Sequence, residues 1–338
     1  MIRHSVDPPN AEPALADVEE GPRTLERFYV RCNFGVPRLN ARHWRLEVTG
    51  AFERPRSWTL SELASLPPVE RTVVLECAGN GRTLMQPVPP GTPWGLGAVG
   101  VARFGGIRLA DLLAESRPRS TAVELVFSGA DHGTMGPEGS IPYQFNLDLA
   151  DAAWDGPMLA WTMGGGPLSA DHGFPVRLVV PGQYGMRSVK WLTSISAVEQ
   201  PFEGHFPRRY RYRGDHSVPD DTPVGPIRVR SLVTWPANGD HLPAAPLTLR
   251  GIAWSGHGPI TRVEVRADGG WMPAQLWPPR DEAGPTTWAV RWSPTEAGPH
   301  VIAVRATDAA GNRQPTEPVW NEGGYGNNVI QQVSVTLG

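Results

Sequence analysis

Glycine and proline interrupt this chain so often that a bundle of long helices is excluded. Glycine occupies 38 and proline 36 of the 338 positions. Glycine weakens a helix and proline removes an amide donor, so this content favours short strands, tight turns and ordered loops. The length predicts two domains, each large enough for its own hydrophobic core.

The charge and hydropathy patterns limit the partners. Lys and Arg number 31 against 34 Asp and Glu, a net charge of −3, which argues against nucleic acid or an anionic membrane as the main partner. The uncharged run 83–102 contains four prolines, so we expect no membrane span. Residues 1–20 lack the apolar core of a signal peptide. This predicts a cytoplasmic protein, or a periplasmic one if a signal has been processed away.

The first two hundred residues combine strand and helix patterns. β-Branched and aromatic residues predict strands over 44–50, 72–76 and 121–127, the last ending at Ser128-Gly129. Thr59 and Glu62 have the spacing of a capping box that opens a short helix ending at Leu66. A second short helix fits 107–114. The pattern predicts a mixed α and β domain.

After Pro219 the pattern changes to strict alternation of apolar and polar residues. Short alternating segments separated by turn clusters are typical of a β-sandwich of immunoglobulin-like size. They are residues 229–233, 247–254, 261–268, 288–292 and 300–308. Residues 215–226 have the composition of a linker between the two parts.

The two cysteines, Cys32 and Cys77, require separate interpretations. Cys77 follows the strand predicted at 72–76 and opens the run Cys-Ala-Gly-Asn-Gly-Arg. A buried thiol before an Asn-Gly hairpin turn is the simpler interpretation. The alternative is that Gly79 and Gly81 let the backbone pass close to a bulky ligand while Arg82 helps to hold Cys77 as a thiolate.

A second candidate region combines cations with glycine-rich turns. His172, Arg177, Arg187 and Lys190 fall within twenty residues of a chain that is otherwise poor in charge. The simpler interpretation is an ordinary strand over 176–180 whose flanking Arg and Lys side chains are exposed to solvent. Cations beside glycine turns also suit a phosphate group, so a ligand site is the competing interpretation.

Four ordered motifs resemble the molybdenum-cofactor domain of the sulfite oxidase family. They are ECAGNGR, WGLGAVGVARFGGIRLADLL, DHGFPVRLVVPG and RSVKWL. The β-rich end, with Val319-Trp-Asn321 and Asn327-Asn328, resembles that family's dimerisation domain. The resemblance implies an α+β chain: an extension at 1–24, a mixed α/β molybdopterin-binding catalytic domain at 25–218, and an immunoglobulin-like dimerisation sandwich at 225–338.

The resemblance also implies roles for individual residues. Cys77 falls on the metal-binding thiolate, and Arg31, Arg82 and Tyr210 join it as the implied catalytic residues. The implied cofactor contacts are Tyr29, Val30, Arg31, Cys32, Asn33, Asp131, His172, Arg177, Ser188, Val189 and Lys190. A molybdenum-binding Cys77 is incompatible with a Cys32–Cys77 disulfide.

The function implied is oxygen-atom transfer by molybdopterin and molybdenum, with sulfite oxidised to sulfate. Arg31 and Arg82 suit such an anionic substrate. Because no CxxCH motif occurs and no segment resembles the family's cytochrome domain, we expect no haem domain in this chain. Electrons would pass to a separate acceptor such as a cytochrome, and the protein is expected to be a homodimer.

Two departures from the family pattern limit the choice of substrate, and a third concerns the cofactor. Gly323 stands where family members that oxidise sulfite often carry an arginine, which predicts weaker sulfite binding. Tyr210 and Tyr212 both lie where the active-site tyrosine is expected, and Tyr210 is preferred. Cys32 replaces a residue of the pterin-contacting segment, and the sequence does not explain it.

Other functions remain open at this stage. A reductase of sulfoxides or other small oxyanions would use the same cysteine ligand. The 13 tryptophans also suit a non-catalytic module that binds carbohydrate or protein. The histidines raise the question of a zinc enzyme, but none has HxxxH or HExxH spacing.

Overall fold

The computed structural model describes residues 1–18, 24–153 and 155–338. Residues 19–23, which belong to the predicted extension 1–24, lie outside the described part. Within that part no helix is long and apolar enough to cross a membrane. The predicted architecture, a mixed α and β region followed by an all-β sandwich, is confirmed.

Two five-stranded sheets form the first region. One contains the strands Pro68–Glu76, Val99–Arg108, Met158–Met163, Gly166–Pro167 and Arg177–Val179. The other has the order Arg56–Trp58, Leu46–Gly50, Leu192–Val198, Glu124–Thr134 and Ser140–Asp148. A third, small sheet joins Ile2–Ser5, Asn10–Glu12 and Val30–Arg31.

Helices are short and connect these strands. The α-helices are Thr24–Arg27, Leu60–Leu63, Leu109–Ser116, Leu149–Ala153 and His205–Arg209, and the 3₁₀ turns are Leu15–Asp17, Arg82–Leu84, Gly136–Glu138, Ala170–His172 and Gly185–Arg187. The capping box at Thr59 is confirmed: the Glu62 amide donates to Thr59 Oγ1 at 3.1 Å, and the Thr59 amide donates to Glu62 Oε2 at 2.7 Å.

Several predicted boundaries were wrong. The helix predicted to end at Leu66 ends at Leu63, and the strand predicted at 72–76 begins at Pro68. Strand pairing explains two further differences. The helix predicted at 107–114 begins at Leu109, since Ile107 and Arg108 pair with the strand Met158–Met163. The strand predicted to end at Ser128-Gly129 continues to Thr134, where it pairs with Ser140–Asp148. Long-range partners, absent from a local sequence window, set both limits.

The second region is a two-sheet sandwich. One sheet has the order Arg230–Trp235, Leu247–Trp254, Thr286–Trp292 and Gln275–Trp277, and the other His241–Leu242, Gln331–Leu337, Gly298–Asp308, Ile260–Arg266 and Met272–Pro273. Alternate residues face inward, so that Leu249 and Trp288 of one sheet meet Ile302 and Val335 of the other in a buried core.

The two regions share buried contacts. Ile227, Leu232 and Trp254 belong to the hydrophobic core of the first region. The linker predicted at 215–226 is itself ordered: the short strands Arg211–Tyr212 and Thr222–Pro223 pair, and the buried Asp215 contacts Arg228 at 2.8 Å. The second region therefore supports the first directly.

Candidate active site

Cys77 lies at the end of the strand Pro68–Glu76, half-buried, with a free thiol. Its amide donates to the Ala98 carbonyl at 2.9 Å, and its own carbonyl accepts from the Asn80 amide at 2.9 Å. Cys77 borders two cavities. We call the narrow one the inner cavity. The wider one, which we call the mouth, is lined by Arg31, Arg82, Trp94, Arg209, Tyr210, Gly323 and Tyr325 among others. Cys77 is thus held rigidly at their junction.

The glycines after Cys77 serve the loop itself. Gly81 has φ 82°, a left-handed conformation that favours glycine, and a Cβ on Gly79 would lie 2.5 Å from the Arg82 guanidinium. Gly79 therefore makes room for Arg82. The second region covers the loop, because Asn327 Nδ2 donates to the Gly81 carbonyl at 2.7 Å.

Arg82 is buried and contributes charge to the mouth. Its Nη1 donates to the Thr92 carbonyl at 2.6 Å, and its Nη2 donates to the Gly323 carbonyl at 2.9 Å. No carboxylate among the described residues pairs with it. The positive charge is therefore left to act on whatever occupies the mouth.

Most of the predicted cofactor contacts meet at the inner cavity. It is lined by Tyr29, Arg31, Cys32, Asn33, Cys77, Asp131, His172, Arg177, Ser188, Lys190 and Tyr210 among others. Val30 and Val189 do not line it. Val30 pairs with Ala11 in the small sheet, and the buried Val189 accepts from the Leu178 amide at 2.8 Å through its carbonyl. Val30 and Val189 therefore support the adjacent residues of the cavity wall and do not form part of that wall.

Burial changes the charge states in this cavity. Burial, helped by the nearby Lys190 and Arg177 cations, lowers the pKa of His172 to about 3. His172 is therefore neutral at physiological pH, and its interpretation as one of four cations was wrong. Burial raises the pKa of Asp131 to about 6, although Lys190 opposes the shift.

Burial opposes the charge on both Arg31 and Arg177, but their neighbours make the net pKa shifts opposite in direction. Burial lowers the pKa of Arg177 to about 10. Burial also opposes the charge on Arg31, but Tyr210 and Cys77 beside it favour that charge, and the net pKa of Arg31 is raised. Arg31 remains charged under ordinary conditions.

Two side-chain atoms of residues that line the inner cavity are buried and have no hydrogen-bond partner in the described structure. They are His172 Nε2 and Asp131 Oδ1. A buried polar atom without a partner is costly, so these atoms suit a ligand rich in donors and acceptors, such as a pterin. Apolar walls from Phe28, Leu75 and Met186 accommodate its ring system. The residues present therefore fit a pterin cofactor, with Cys77 as a soft metal ligand.

Cys32 has a specific partner. Its buried thiol, 1% exposed, accepts a hydrogen bond from Lys190 Nζ at 3.0 Å, and Lys190 also donates to the Asp171 carbonyl at 2.7 Å. Both cysteines are free. The thiol therefore orients Lys190 on the wall of the inner cavity.

The structure distinguishes the two candidate tyrosines. Tyr210 lines both the inner cavity and the mouth. Tyr212 lines neither, and its ring packs under Arg228, whose Cζ lies 4.4 Å from the ring centroid. The helix His205–Arg209 ends immediately before Tyr210, which places its ring at the boundary of the cavities.

Sequence reasoning missed Arg209, Arg211 and Arg213, which line the mouth together with Arg31 and Arg82. Arg211 and Arg213 are paired with Asp221. The density of cations in residues 208–213 was a signal that could have drawn attention to them. Arg187 of the predicted cation cluster does not line either cavity, and donates to the Asn146 carbonyl at 3.3 Å. A Cβ on Gly323 would lie 2.2 Å from the Tyr325 ring, so this position has no room for an arginine unless Tyr325 moves.

A half-buried cysteine lies between a cationic mouth and an inner cavity whose apolar walls carry a few buried polar groups. In a mixed α and β region joined to a β-sandwich, this arrangement fits the class of cofactor-dependent oxidoreductases. The described residues contain no group of three or more His, Cys, Asp or Glu side chains placed to hold a metal ion. Any metal here would need ligands from a cofactor in addition to Cys77.

Comparison with known proteins agrees with this class. Residues 33–206 match the model of the oxidoreductase molybdopterin binding domain, and residues 223–338 match that of the Mo-co oxidoreductase dimerisation domain. Sulfite oxidase of Gallus gallus is 38% identical over 94% of this chain and 74% of its own length. Mitochondrial sulfite oxidase of Mus musculus is 35% identical over 99% of this chain, which spans 66% of the mouse protein.

A solved structure shares the whole architecture. The sulfane dehydrogenase SoxCD from Paracoccus pantotrophus superposes with a TM-score of 0.79 at 25% identity, covering 98% of this chain and 87% of that one. The chain belongs to the sulfite oxidase family of molybdopterin-dependent oxidoreductases. The predicted family, enzyme class and molybdopterin cofactor are confirmed.

Proposed function

We propose that this protein oxidises sulfite to sulfate and passes the electrons to a separate acceptor. The observation that carries the proposal is the mouth, which Cys77 lines together with five arginines and one carboxylate, Glu322. Arg211 and Arg213 are paired with Asp221, so Arg31, Arg82 and Arg209 are the cations left for an anion. Guanidinium groups bind oxyanions well because their planar donors match paired oxygens. The sulfite oxidases among the relatives support the same substrate.

The inner cavity is proposed to hold the cofactor. Cys77 would bind molybdenum, and the two unpaired atoms, His172 Nε2 and Asp131 Oδ1, would contact the pterin. The remaining proposed contacts are Tyr29, Arg31, Cys32, Asn33, Arg177, Ser188 and Lys190. Val30 and Val189 do not line the cavity and would act only by supporting these neighbours. When bound, the cofactor supplies oxygen-atom transfer and a two-electron redox change.

The chain's own groups bind and orient the substrate. Arg82 uses part of its guanidinium to bind the Thr92 and Gly323 carbonyls and has N–H donors left for an anion, and the exposed Arg209 also has donors to offer. Tyr210, which lines both cavities, would donate a hydrogen bond to a substrate oxygen. Arg209 would supply in the mouth a cation in place of the arginine that is absent at Gly323.

A reductase acting on a sulfoxide or another small oxyanion is the second candidate. Nitrate reductase of Hordeum vulgare is 33% identical over 91% of this chain, although the chain spans only 38% of that protein. The same cationic mouth would accept an anion such as nitrate, whereas a sulfoxide is neutral and would gain less from these charges. The direction of oxygen transfer therefore needs a direct assay.

The decisive experiment uses the full chain produced with molybdenum cofactor. We expect about one molybdenum per chain, with reduction of ferricyanide dependent on sulfite. Cys77→Ser should abolish turnover, while Glu62→Gln, at the remote capping box, should retain it. Turnover of sulfoxide or nitrate with a reduced viologen, without sulfite oxidation, would instead establish the reductase.

Oligomeric state and cellular compartment complete the proposal. The match of residues 223–338 to a dimerisation domain supports a homodimer. Light scattering of the full chain after size-exclusion chromatography should give twice the mass of 36.7 kDa, and a monomer would refute this assignment. We propose that the protein works in the cytoplasm or the periplasm, and fractionation of the source cells would distinguish the two compartments.

A further inference from the structure

The N-terminal hairpin is attached to the strand that carries Arg31. Ile2–Ser5 pairs with Asn10–Glu12, which pairs in turn with Val30–Arg31 through the registers Asn10 with Arg31 and Ala11 with Val30. This hairpin precedes the residues that match the cofactor-domain model. The structure nevertheless places it against the active-site wall.

Asn10 fixes the Arg31 side of the mouth. Its side chain is 4% exposed, and Oδ1 accepts from the Cys32 amide at 3.1 Å and from Arg31 Nη1 at 3.3 Å. Its Nδ2 donates to Ser5 Oγ at 2.8 Å within the hairpin. One buried amide therefore links the hairpin to both the backbone and the guanidinium of the site.

Glu12 holds the segment on the opposite side of the mouth, next to Arg82. The carboxylate is 3% exposed, with Oε1 accepting from the Gly95 amide at 2.8 Å and Oε2 from the Gly97 amide at 2.8 Å. His4 Nε2 lies 2.9 Å from Oε1. Hydrogen bonds to a buried charged acceptor are strong, and losing one leaves an amide without a partner.

The segment that Glu12 holds forms part of the mouth. Thr92, three residues before Gly95, accepts from Arg82 Nη1, and Trp94 lines the mouth while its ring packs edge-on against His4 at 4.8 Å. A Cβ on Gly97 would lie 2.3 Å from the Pro13 carbonyl, so the approach of the two segments is close. Movement of this loop would displace the acceptor of Arg82.

We propose that the N-terminal hairpin is a positioning element that sets the separation of Arg31 and Arg82 across the mouth. Asn10 and Glu12 are its positioning residues, acting on the two arginines from opposite sides. The inference deepens the proposed function, because it rests on the mouth being the site of an anionic substrate. It assigns a role to residues that the sequence presented only as an extension.

The test compares Glu12→Gln and Asn10→Ala with the native full chain. Glu12→Gln should speed amide exchange at Gly95 and Gly97 about tenfold, with no change in the paired strand Val99–Arg108. Asn10→Ala should do the same at Cys32. Both should raise the KM for sulfite about tenfold with kcat changed less than about twofold, because they disturb binding rather than the reacting centre.

Glu62→Gln is the matched control, since Glu62 also accepts backbone and side-chain hydrogen bonds but lies away from both cavities. It should lower the melting temperature without changing KM or exchange at 95–97. Unchanged exchange in the hairpin variants, or a KM that follows thermal stability in all three, overturns the inference. If the native protein does not oxidise sulfite, the proposed function fails, and calorimetric binding of sulfate to the same proteins replaces KM as the readout.

Discussion

Glu76 and Arg230 form a buried ion pair that joins the residue before Cys77 to the β-sandwich. Arg230 Nε lies 2.9 Å from Glu76 Oε1, with both side chains almost fully buried. The same carboxylate accepts from Trp254 Nε1 at 2.9 Å and from Asn80 Nδ2 at 3.0 Å. The strand that presents Cys77 is therefore anchored by side chains from the second region.

Breaking this pair from one side should be costly. Arg230→Met leaves the Glu76 carboxylate buried without its cation, and we expect a loss of about 3–5 kcal/mol in the free energy of unfolding. The double variant Glu76→Gln, Arg230→Met removes both charges and should recover much of that loss. Urea unfolding of the three proteins measures the difference, and equal losses in the single and double variants would contradict the prediction.

Arg209 should contribute to substrate affinity. Arg209→Ala removes an exposed cation of the mouth, and we expect the KM for sulfite to rise about fivefold to tenfold with a smaller change in kcat. Arg208→Ala is the control, because its neighbour Arg208 contacts Glu138 at 3.5 Å and does not line the mouth. Steady-state kinetics at several salt concentrations would test this. Equal effects of the two substitutions would exclude a specific role.

The stability of the apoprotein should carry opposite pH signatures from His172 and Asp131. The pKa of His172 is about 3 in the folded protein and 6.5 in the unfolded chain. Its contribution to the free energy of unfolding is therefore complete above pH 6.5 and is lost as pH falls, by up to about 1.4 kcal/mol per pH unit. The pKa of Asp131 is about 6 in the folded protein and 3.8 in the unfolded chain, so its contribution to the free energy of unfolding is complete below pH 3.8 and is lost as pH rises to about 6.

Paired substitutions separate the two contributions. Relative to the native apoprotein, His172→Gln should gain stability as pH falls from 6.5 to 4.5, and Asp131→Asn should lose relative stability over the same interval. Urea unfolding at steps of pH measures both. Parallel pH profiles for the native protein and either variant would show that the residue does not titrate as the burial implies.

The two cysteines should differ in reactivity. Cys77 is half-buried at the junction of the cavities, whereas Cys32 is 1% exposed and bound by Lys190. We expect iodoacetamide to modify Cys77 in the apoprotein well before Cys32, and bound cofactor to protect Cys77. Peptide mass spectrometry reads the order, and Cys77→Ala should remove the fast phase. Faster modification of Cys32 would refute this order.

The local sequence pattern predicted the sandwich, the family and most of the residues of the inner cavity. The alternation after Pro219 indicated the sandwich, because period two is a property of every strand with one buried face. The motif around Cys77 and the order of the later motifs identified the family and most of the inner-cavity residues. Helix and strand limits at 107–134 were less accurate because pairing partners decide them.

The tertiary structure decided the features that depend on distant neighbours. Only the folded chain shows that Tyr210 rather than Tyr212 borders the cavities, that Arg209 enters the mouth, and that Gly79 makes room for Arg82. The same holds for Asn10 and Glu12, whose partners lie about 20 to 85 residues away along the chain. A sequence determines which groups are present and the period of each strand, whereas burial and charge at a site depend on which segments meet there.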